Sequence, residues 1–92
     1  MDRGTILETA ASYVTKDREA QYGSPEDNFS IIADFWNTYL GSKEVGTEID
    51  AHDVAVMMCL LKIARIASGQ KKDDNYIDLA GYAACGGEIA TK

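Results

Sequence analysis

Residues 50–67 read DAHDVAVMMCLLKIARIA, and this stretch decides the fold. Between positions 54 and 67 it is apolar on almost every face of a helix, interrupted only by Lys62 and Arg65. A helix with this pattern must be covered on most of its sides, because exposed apolar surface is unfavourable in water. In a chain of 92 residues, we expect some of that cover to come from a second subunit.

Two helices are predicted ahead of this segment. The first starts at Thr5, since Thr5 and Glu8 have the spacing of a capping box, and it ends at Gly23. The second starts at Ser24 and Pro25, a good N-cap followed by a residue suited to the first helical position. Each helix carries an apolar stripe at helical spacing. The stripes are Leu7, Ala10, Ala11, Val14, Arg18 and Tyr22 in the first helix, and Phe29, Ile32, Ala33, Trp36 and Leu40 in the second.

The central segment and the last helix carry their own start and stop signals. Asp50 is predicted to cap the central helix, and Gly69 to end it. The last helix is predicted to be capped by Asp73 or Asp74 and to be weakened or ended by the two glycines at 86–87. Small side chains make this helix thin, so that another helix can approach it closely. They are Ala80, Gly81, Ala83 and Ala84.

Four helices and no strand predict an all-α fold in a single domain, residues 1–92. A hydrophobic content of 46% is typical of a folded chain. We expect a small four-helix bundle made of helical hairpins and completed by oligomerisation, as a homo-oligomer of two or more copies.

The charge balance disfavours one class of function. The chain has 15 acidic against 9 basic residues, a net charge of −6, which argues against direct binding to a nucleic-acid backbone. An acidic face that docks on a basic protein, or a local basic pocket, remains compatible with it. No signal peptide and no membrane-spanning run is recognisable. With Cys59 and Cys85 predicted to be reduced, buried thiols, we expect a cytoplasmic protein without a membrane partner.

Several charged residues fall at positions that the pattern places inward. They are Arg18 on the first stripe, Lys62 and Arg65 on the central helix, and Asp78 on the last helix, on one face with Asp74 and Tyr82. Burying such charges costs several kcal/mol each unless they are paired. One interpretation is a structural ion-pair cluster that joins the last two helices. The other is a polar pocket in which the basic side chains meet a phosphate.

A second polar cluster lies at the start of the central helix. Asp50 and Asp53 are spaced so that both carboxylates face a helix N-terminus, where they cap it and complement its dipole. The same pair, with Asp74, is a candidate Mg²⁺ site, since Mg²⁺ takes one or two carboxylates together with substrate phosphates. His52 is the one histidine of the chain, and since no cysteine or second histidine lies at ligand spacing from it, the sequence does not predict a zinc site.

The chain resembles a family of small phage and prophage proteins of unknown function. The resemblance runs from about residue 13 to residue 85 and implies a phage or prophage origin and a bacterial cytoplasm. It is carried by Asp17-Arg18, Tyr22-Gly23-Ser24-Pro25, Asn28-Phe29, Trp36, Tyr39-Leu40, Asp53-Val54-Ala55, Met58, Leu61-Lys62-Ile63-Ala64-Arg65, Asp74-Asn75-Tyr76-Ile77-Asp78 and Gly81-Tyr82-Ala83.

A more distant similarity is to the phage nucleotide-modification-associated domains and, through them, to the all-helical MazG-like nucleotide pyrophosphohydrolases. It rests on Tyr22-Gly23, Lys62-x-x-Arg65 and Asp78-x-x-x-Tyr82-Ala83. The MazG-like pattern has Glu-Glu-x-x-Glu on one helix and Glu-x-x-Asp on the next, which together place four carboxylates around Mg²⁺. This sequence has no Glu-Glu-x-x-Glu, so the resemblance implies a nucleotide pocket more readily than a hydrolase.

The first functional hypothesis is a non-enzymatic phage accessory protein that counteracts host defence. It would sequester a nucleotide or a nucleotide-derived signal between subunits, with bases stacked on aromatic rings. Phosphate contacts are assigned to Arg18, Lys62 and Arg65, stacking to Tyr22, Trp36 or Tyr82, and orientation of the basic groups to Asp78.

Two alternatives belong to other classes. One is an acidic inhibitor of a host defence nuclease, of the anti-CRISPR type, which would dock through Glu19, Glu26, Asp27, Glu44 and Glu48. The other is a MazG-like, Mg²⁺-dependent nucleoside triphosphate pyrophosphohydrolase, in which Asp53 and Asp78 would be essential.

Overall fold

The computed structural model describes residues 1–17, 25–70 and 72–92. Within these ranges the chain forms four α-helices and no strand. We name them α1 (Arg3–Ser12), α2 (Pro25–Gly41), α3 (Ala51–Ala67) and α4 (Asp73–Ala90), and a π-helical segment, Tyr13–Asp17, continues α1. The predicted all-α fold is confirmed. The predictions made for Arg18, Glu19, Tyr22, Gly23 and Ser24 lie outside the described residues.

Helix α3 lies between two neighbours, α2 and α4, and packs on both. Tyr39 of α2 contacts Asp53 of α3, and Trp36, earlier in α2, contacts Met57, later in α3, so these two helices run antiparallel.

The pair formed by α3 and α4 is antiparallel as well. Lys62 lies against Asp78, whereas Ala55, earlier in α3, lies against Gly86, later in α4. The two hairpins cover α3 on two sides, as its apolar sequence requires.

The ends of α3 follow their local signals. The Asp50 carboxylate accepts from the backbone N–H of Asp53, and the Asp53 carboxylate accepts from the backbone N–H of Asp50, which completes a capping box. At the other end, Gly69 has a φ of +99°, a left-handed conformation that favours glycine. The N–H groups of Gly69 and Gln70 donate to the carbonyls of Ile66 and Arg65, which is the Schellman arrangement. Both predicted ends are confirmed.

The predicted starts of α1 and α4 are wrong. Asp2, not Thr5, caps α1, because the Asp2 carboxylate accepts from the Thr5 backbone N–H at 2.8 Å. Helix α4 begins at Asp73 after Lys72, which makes no side-chain cap bond. Asp73 and Asp74 therefore lie in the first turn, where their charges complement the helix dipole instead of capping it.

Helix α4 also runs through its two glycines at 86–87, which were predicted to weaken or end it. A side chain at Gly86 would place its Cβ 3.0 Å from the Ala55 Cβ, so glycine lets α4 lie directly against α3 at this point. At Gly81 and Gly87 an added Cβ meets nothing within 4 Å. Packing against α3 therefore accounts for Gly86 and not for the other two.

Few apolar side chains are buried in the described part of the chain: Ile32, Ala55 and Ala64. The stripe of the first predicted helix, which the sequence places inward, is exposed, with Leu7 of α1 at 68% and Val14 of the π-helical segment at 54% of their full accessibility. Helix α1 continues directly into the π-helical segment and forms no extensive contact with α2, α3 or α4.

We predict that Gly86→Ala lowers the free energy of unfolding by about 1–2 kcal/mol, because the new methyl group forces α3 and α4 apart. Gly81→Ala is the matched control, since it is also helical but has open space, and it should stabilise the fold by about 0.5–1 kcal/mol. Urea denaturation followed by circular dichroism measures both changes. Equal stability of the two variants would show that the close approach does not control the packing.

Candidate functional site

The carboxylate of Asp53 joins α2, α3 and the segment between them. Asp53 is 2% exposed. Its Oδ1 accepts from the Tyr39 hydroxyl at 2.6 Å, and its Oδ2 accepts from the Asp50 backbone N–H at 2.9 Å and from the Lys43 ammonium. One buried side chain thus caps α3, holds the end of α2 and forms an ion pair with Lys43.

These contacts shift the acidity of both partners. The Lys43 ammonium, followed by the Tyr39 hydroxyl and the Asp50 backbone N–H, holds the pKa of Asp53 well below its usual range. The hydrogen bond to the Asp53 carboxylate, together with burial, raises the pKa of Tyr39 to about 12. Near neutral pH the carboxylate is charged and the phenol is a neutral donor, so this hydrogen bond holds α2 against α3.

We predict that Asp53→Asn lowers the pKa of Tyr39 from about 12 towards its ordinary 10.0, because the charge beside the phenol is lost. The absorbance of tyrosinate during an alkaline titration measures this change, and Tyr39→Phe identifies which of the five tyrosines is responsible.

The same substitution should change how the free energy of unfolding depends on pH in the acidic range. A depressed folded-state pKa at Asp53 stabilises the fold above about pH 4 and loses this contribution as the pH falls through the folded-state value. Asp53→Asn should therefore lose stability less steeply in acid than the unaltered chain, because it has no carboxyl group at this position to protonate. The same acid dependence in the variant and in the unaltered chain would contradict the assignment.

Asp50, His52 and Asp53 form a cluster that is able to hold a metal ion, with ligand atoms within 4.8 Å of one another. Asp74, which the sequence groups with Asp50 and Asp53, lies in the first turn of α4 and is not part of this cluster. Both carboxylate oxygens of Asp53 already accept hydrogen bonds from protein donors. The capping box therefore accounts for Asp50 and Asp53 without an ion, and the Mg²⁺ site remains a prediction.

Lys62 and Asp78 form an ion pair between α3 and α4, with the Lys62 Nζ 2.9 Å from the Asp78 Oδ2. Lys62 is 8% exposed, whereas the Asp78 side chain is about half exposed. The pair matches the structural interpretation of this charge cluster. Arg65 lies in the last turn of α3, where a cation complements the helix dipole.

We predict that Asp78→Ala destabilises the fold by about 1–2 kcal/mol, because it leaves the buried Lys62 ammonium without its carboxylate. Lys62→Met, which removes the buried charge and keeps an apolar chain of similar length, should cost less or stabilise the fold. Urea denaturation of both variants compares them. A larger loss in Lys62→Met would contradict the structural assignment and indicate that the ammonium has another essential partner.

A cleft of about 230 Å³ lies between α3 and α4, and its lining is mostly apolar. We call it the α3/α4 cleft. The residues around it are His52, Ala55, Val56, Cys59, Tyr82, Ala83, Gly86 and Gly87. His52, Val56 and Cys59 lie one helical turn apart on α3, and Tyr82 and Gly86 do so on α4. Sequence reasoning identified Tyr82 and missed the other residues of the cleft. They come together only through the register of α3 against α4, which the sequence does not show.

A second cleft, of about 210 Å³, lies between α2 and α3 and is lined by Phe29, Ile32, Ala33, Trp36 and Leu61. We call it the α2/α3 groove. The Trp36 Nε1 donates to the Met57 carbonyl at 2.8 Å, which orients the indole ring along α3. Trp36 and Tyr82, both predicted to stack on a base, thus line different clefts, and neither cleft is lined by Lys62, Arg65 or Asp78.

The comparisons with known proteins place the chain in a family. A model of a domain of unknown function, DUF6378, matches residues 5–90. The chain belongs to the DUF6378 family. Two curated relatives are the Gene 55 proteins of Mycobacterium phages L5 and D29, each 40% identical, over 79 and 81 residues.

The predicted resemblance to phage proteins of unknown function is confirmed by this DUF6378 match and these relatives. The aligned parts cover 86% and 88% of this chain, but 48% and 50% of the two phage proteins, so the chain spans about half the length of the curated relatives that it matches. No solved structure matches the chain. Among the described residues of this DUF6378 chain, no helix is long and apolar enough to span a membrane.

The two cysteines of this DUF6378 chain have different surroundings. Cys59 is partly buried, and its thiol donates weakly to the Leu79 carbonyl at 3.8 Å. Burial raises the pKa of the Cys59 thiol, so it remains protonated and unreactive near neutral pH. Cys85 is exposed, so the prediction that both thiols are buried is wrong for Cys85.

The acidic residues proposed for an inhibitor surface lie mainly at the surface of the described part. Glu26 and Asp27 are exposed in the first turn of α2, and Glu44 and Glu48 are exposed in the segment between α2 and α3. Glu19 lies outside the described residues.

Proposed function

We propose that this protein acts by binding, as a phage-type accessory protein, and that its ligand is a nucleotide or a nucleotide-derived signal. The α3/α4 cleft would take the base. The observation that carries this proposal is the lining of that cleft. A mostly apolar space is bordered by the Tyr82 ring, the His52 imidazole and the glycine backbone of α4 at residues 86–87. A base is flat and apolar on its faces and polar at its edge, which matches such a space.

Each side chain has a distinct role in this proposal. Tyr82 offers a ring on which the base stacks, an interaction worth about 1–3 kcal/mol per base. His52 stands across the cleft on α3 with ring nitrogens that donate to or accept from the edge of the base. Gly87 exposes its backbone to the cleft, and no other group fills the space that a side chain would take.

The phosphate end of the ligand needs a different assignment from the one that the sequence suggested. Lys62 is buried against Asp78 and does not line the cleft, so it is a poor candidate for a phosphate contact. Arg18 and Arg65 remain predictions for that role. Because no lysine or arginine of the described residues lines the cleft, most of the recognition would come from the base.

The carboxylates that a MazG-like hydrolase would need are already engaged. Asp53 accepts from Tyr39, Lys43 and the backbone, and Asp78 pairs with Lys62. These contacts favour sequestration of a ligand over metal-dependent hydrolysis. Sequestration requires binding alone, which suits a small protein whose relatives are encoded by phages.

A thermal-shift screen tests the proposal with nucleosides, nucleoside mono- and triphosphates, and cyclic dinucleotides. A ligand at 100 times its Kd stabilises the fold by about 2.7 kcal/mol, which raises the Tm of a domain of this size by roughly 10–20 °C. Ligand recovered intact after incubation, with and without Mg²⁺, separates binding from hydrolysis. No shift with any member of the panel would sink the proposal.

We predict that Gly87→Ala weakens binding of the best ligand about ten-fold or more, because the methyl group enters the space that the base would occupy. Gly81→Ala is the matched control, since its Cβ is equally unobstructed and it does not line the cleft. Both substitutions should raise the stability of the free protein. Isothermal titration calorimetry measures the affinities, and equal affinities in both variants would place the ligand elsewhere.

A second candidate, an inhibitor of a host defence nuclease, is favoured by the exposure of Glu26, Asp27, Glu44 and Glu48. These acids would meet a basic nucleic-acid channel. Replacing all four acids with the matching amides should abolish nuclease inhibition and leave the ligand-induced thermal shift unchanged, which distinguishes the two candidates.

A further inference from the structure

We propose that the α2/α3 groove is the docking site for α1 of a second copy of this chain. The occupant is thus a defined helix, supplied in exchange by each subunit to the other. This proposal is independent of the ligand in the α3/α4 cleft, which lies on another side of α3.

The first argument is the amount of surface that one chain exposes. Its accessible surface is 6668 Å², whereas a compact monomer of its mass, 10.0 kDa, exposes roughly 5,200 Å². Its radius of gyration is 15.6 Å, against about 12 Å for a compact domain of this length. The excess of about 1,500 Å² is comparable to the area that each subunit of a permanent dimer buries, which is about 1,000 Å² or more.

The second argument is the exposed stripe of α1. Leu7, Ala10, Ala11 and Val14 recur at the spacing of one helix face, and all four are exposed. Ile6 and Tyr13 beside the stripe are also about half exposed. An apolar stripe is energetically favourable when another apolar surface covers it. The described helices of the same chain offer α1 no such cover.

The third argument is the fit of the groove to this helix. All five residues that line the groove are apolar, and Phe29 remains 67% exposed there. The ten residues of α1 rise about 15 Å, enough to cover the lining of α2 from Phe29 to Trp36, about 10 Å along the axis. The alanines of the stripe allow the two helices to approach closely.

A second copy is the occupant because each chain carries both surfaces. Exchange of α1 between two subunits uses the same contact twice and closes with two-fold symmetry, so no stripe and no groove is left open. A different partner would cover the groove and leave the stripe of α1 exposed.

Sedimentation equilibrium tests the proposal with two single variants of the full chain. Leu7→Lys puts a charge into the stripe, and Ala33→Glu puts one into the groove at an exposed position, so both variants should fold. The unaltered chain should dimerise, and each variant should raise the dimer Kd about ten-fold or more, since a charge would have to be buried at the interface. Ser12→Lys, about 140° round the helix from Leu7, is the matched control and should leave the Kd unchanged.

A mixture of the two variants distinguishes exchange between subunits from packing within one chain. Leu7→Lys mixed with Ala33→Glu should dimerise, because the heterodimer retains one unaltered contact and opposes the two new charges at the other. The fluorescence of Trp36, the one tryptophan, should shift to shorter wavelength with the same concentration dependence. A monomeric unaltered chain, or rescue only when both substitutions are in one chain, would overturn the proposal, as would a dimer that neither variant weakens.

Discussion

The need to cover α3 on several sides governs this structure. Between positions 54 and 67 the helix is almost wholly apolar, so no single neighbour is able to bury it. Helix α2 packs on one side and α4 on another, and each of the two interfaces includes one buried charged residue with its partner. Asp53 binds Tyr39 and Lys43 at the first interface, and Lys62 forms an ion pair with Asp78 at the second. These polar contacts fix which part of each helix faces which, something that apolar packing alone leaves open.

Sequence predicted the fold where local chemistry decides it and failed where tertiary packing decides it. The ends of α3 follow from Asp50 and Gly69, because a cap and a left-handed glycine act within a few residues. The glycines of α4 were misread as a stop signal, because the close approach of Ala55 explains Gly86 and becomes visible only in the packed pair. At α1, Asp2 and Thr5 both carry cap chemistry, and the earlier residue prevails.

The candidate site was predictable only in part, for a related reason. Charged residues stand out in an apolar sequence, so the sequence readily identifies Lys62, Asp78 and Asp53 as candidates, and in the structure each of them forms an ion pair with another side chain. The residues around the α3/α4 cleft form no recognisable sequence motif. His52 and Tyr82 line the same cleft only because of the register of the antiparallel helices. That register is set by the Gly86 contact and the Lys62 ion pair, neither of which a single sequence reveals.

Charge limits what either cleft is able to bind. Among the described residues, the lining of the α2/α3 groove has no ionisable side chain, and the lining of the α3/α4 cleft has three, those of His52, Cys59 and Tyr82. With a net charge of −6 for the whole chain, long-range attraction of a triphosphate is unfavourable. A ligand bound in the α3/α4 cleft would therefore gain its affinity mainly from its ring. A nucleoside should then bind at least as tightly as its triphosphate, unless a basic residue outside the cleft, such as Arg18 or Arg65, reaches the phosphates.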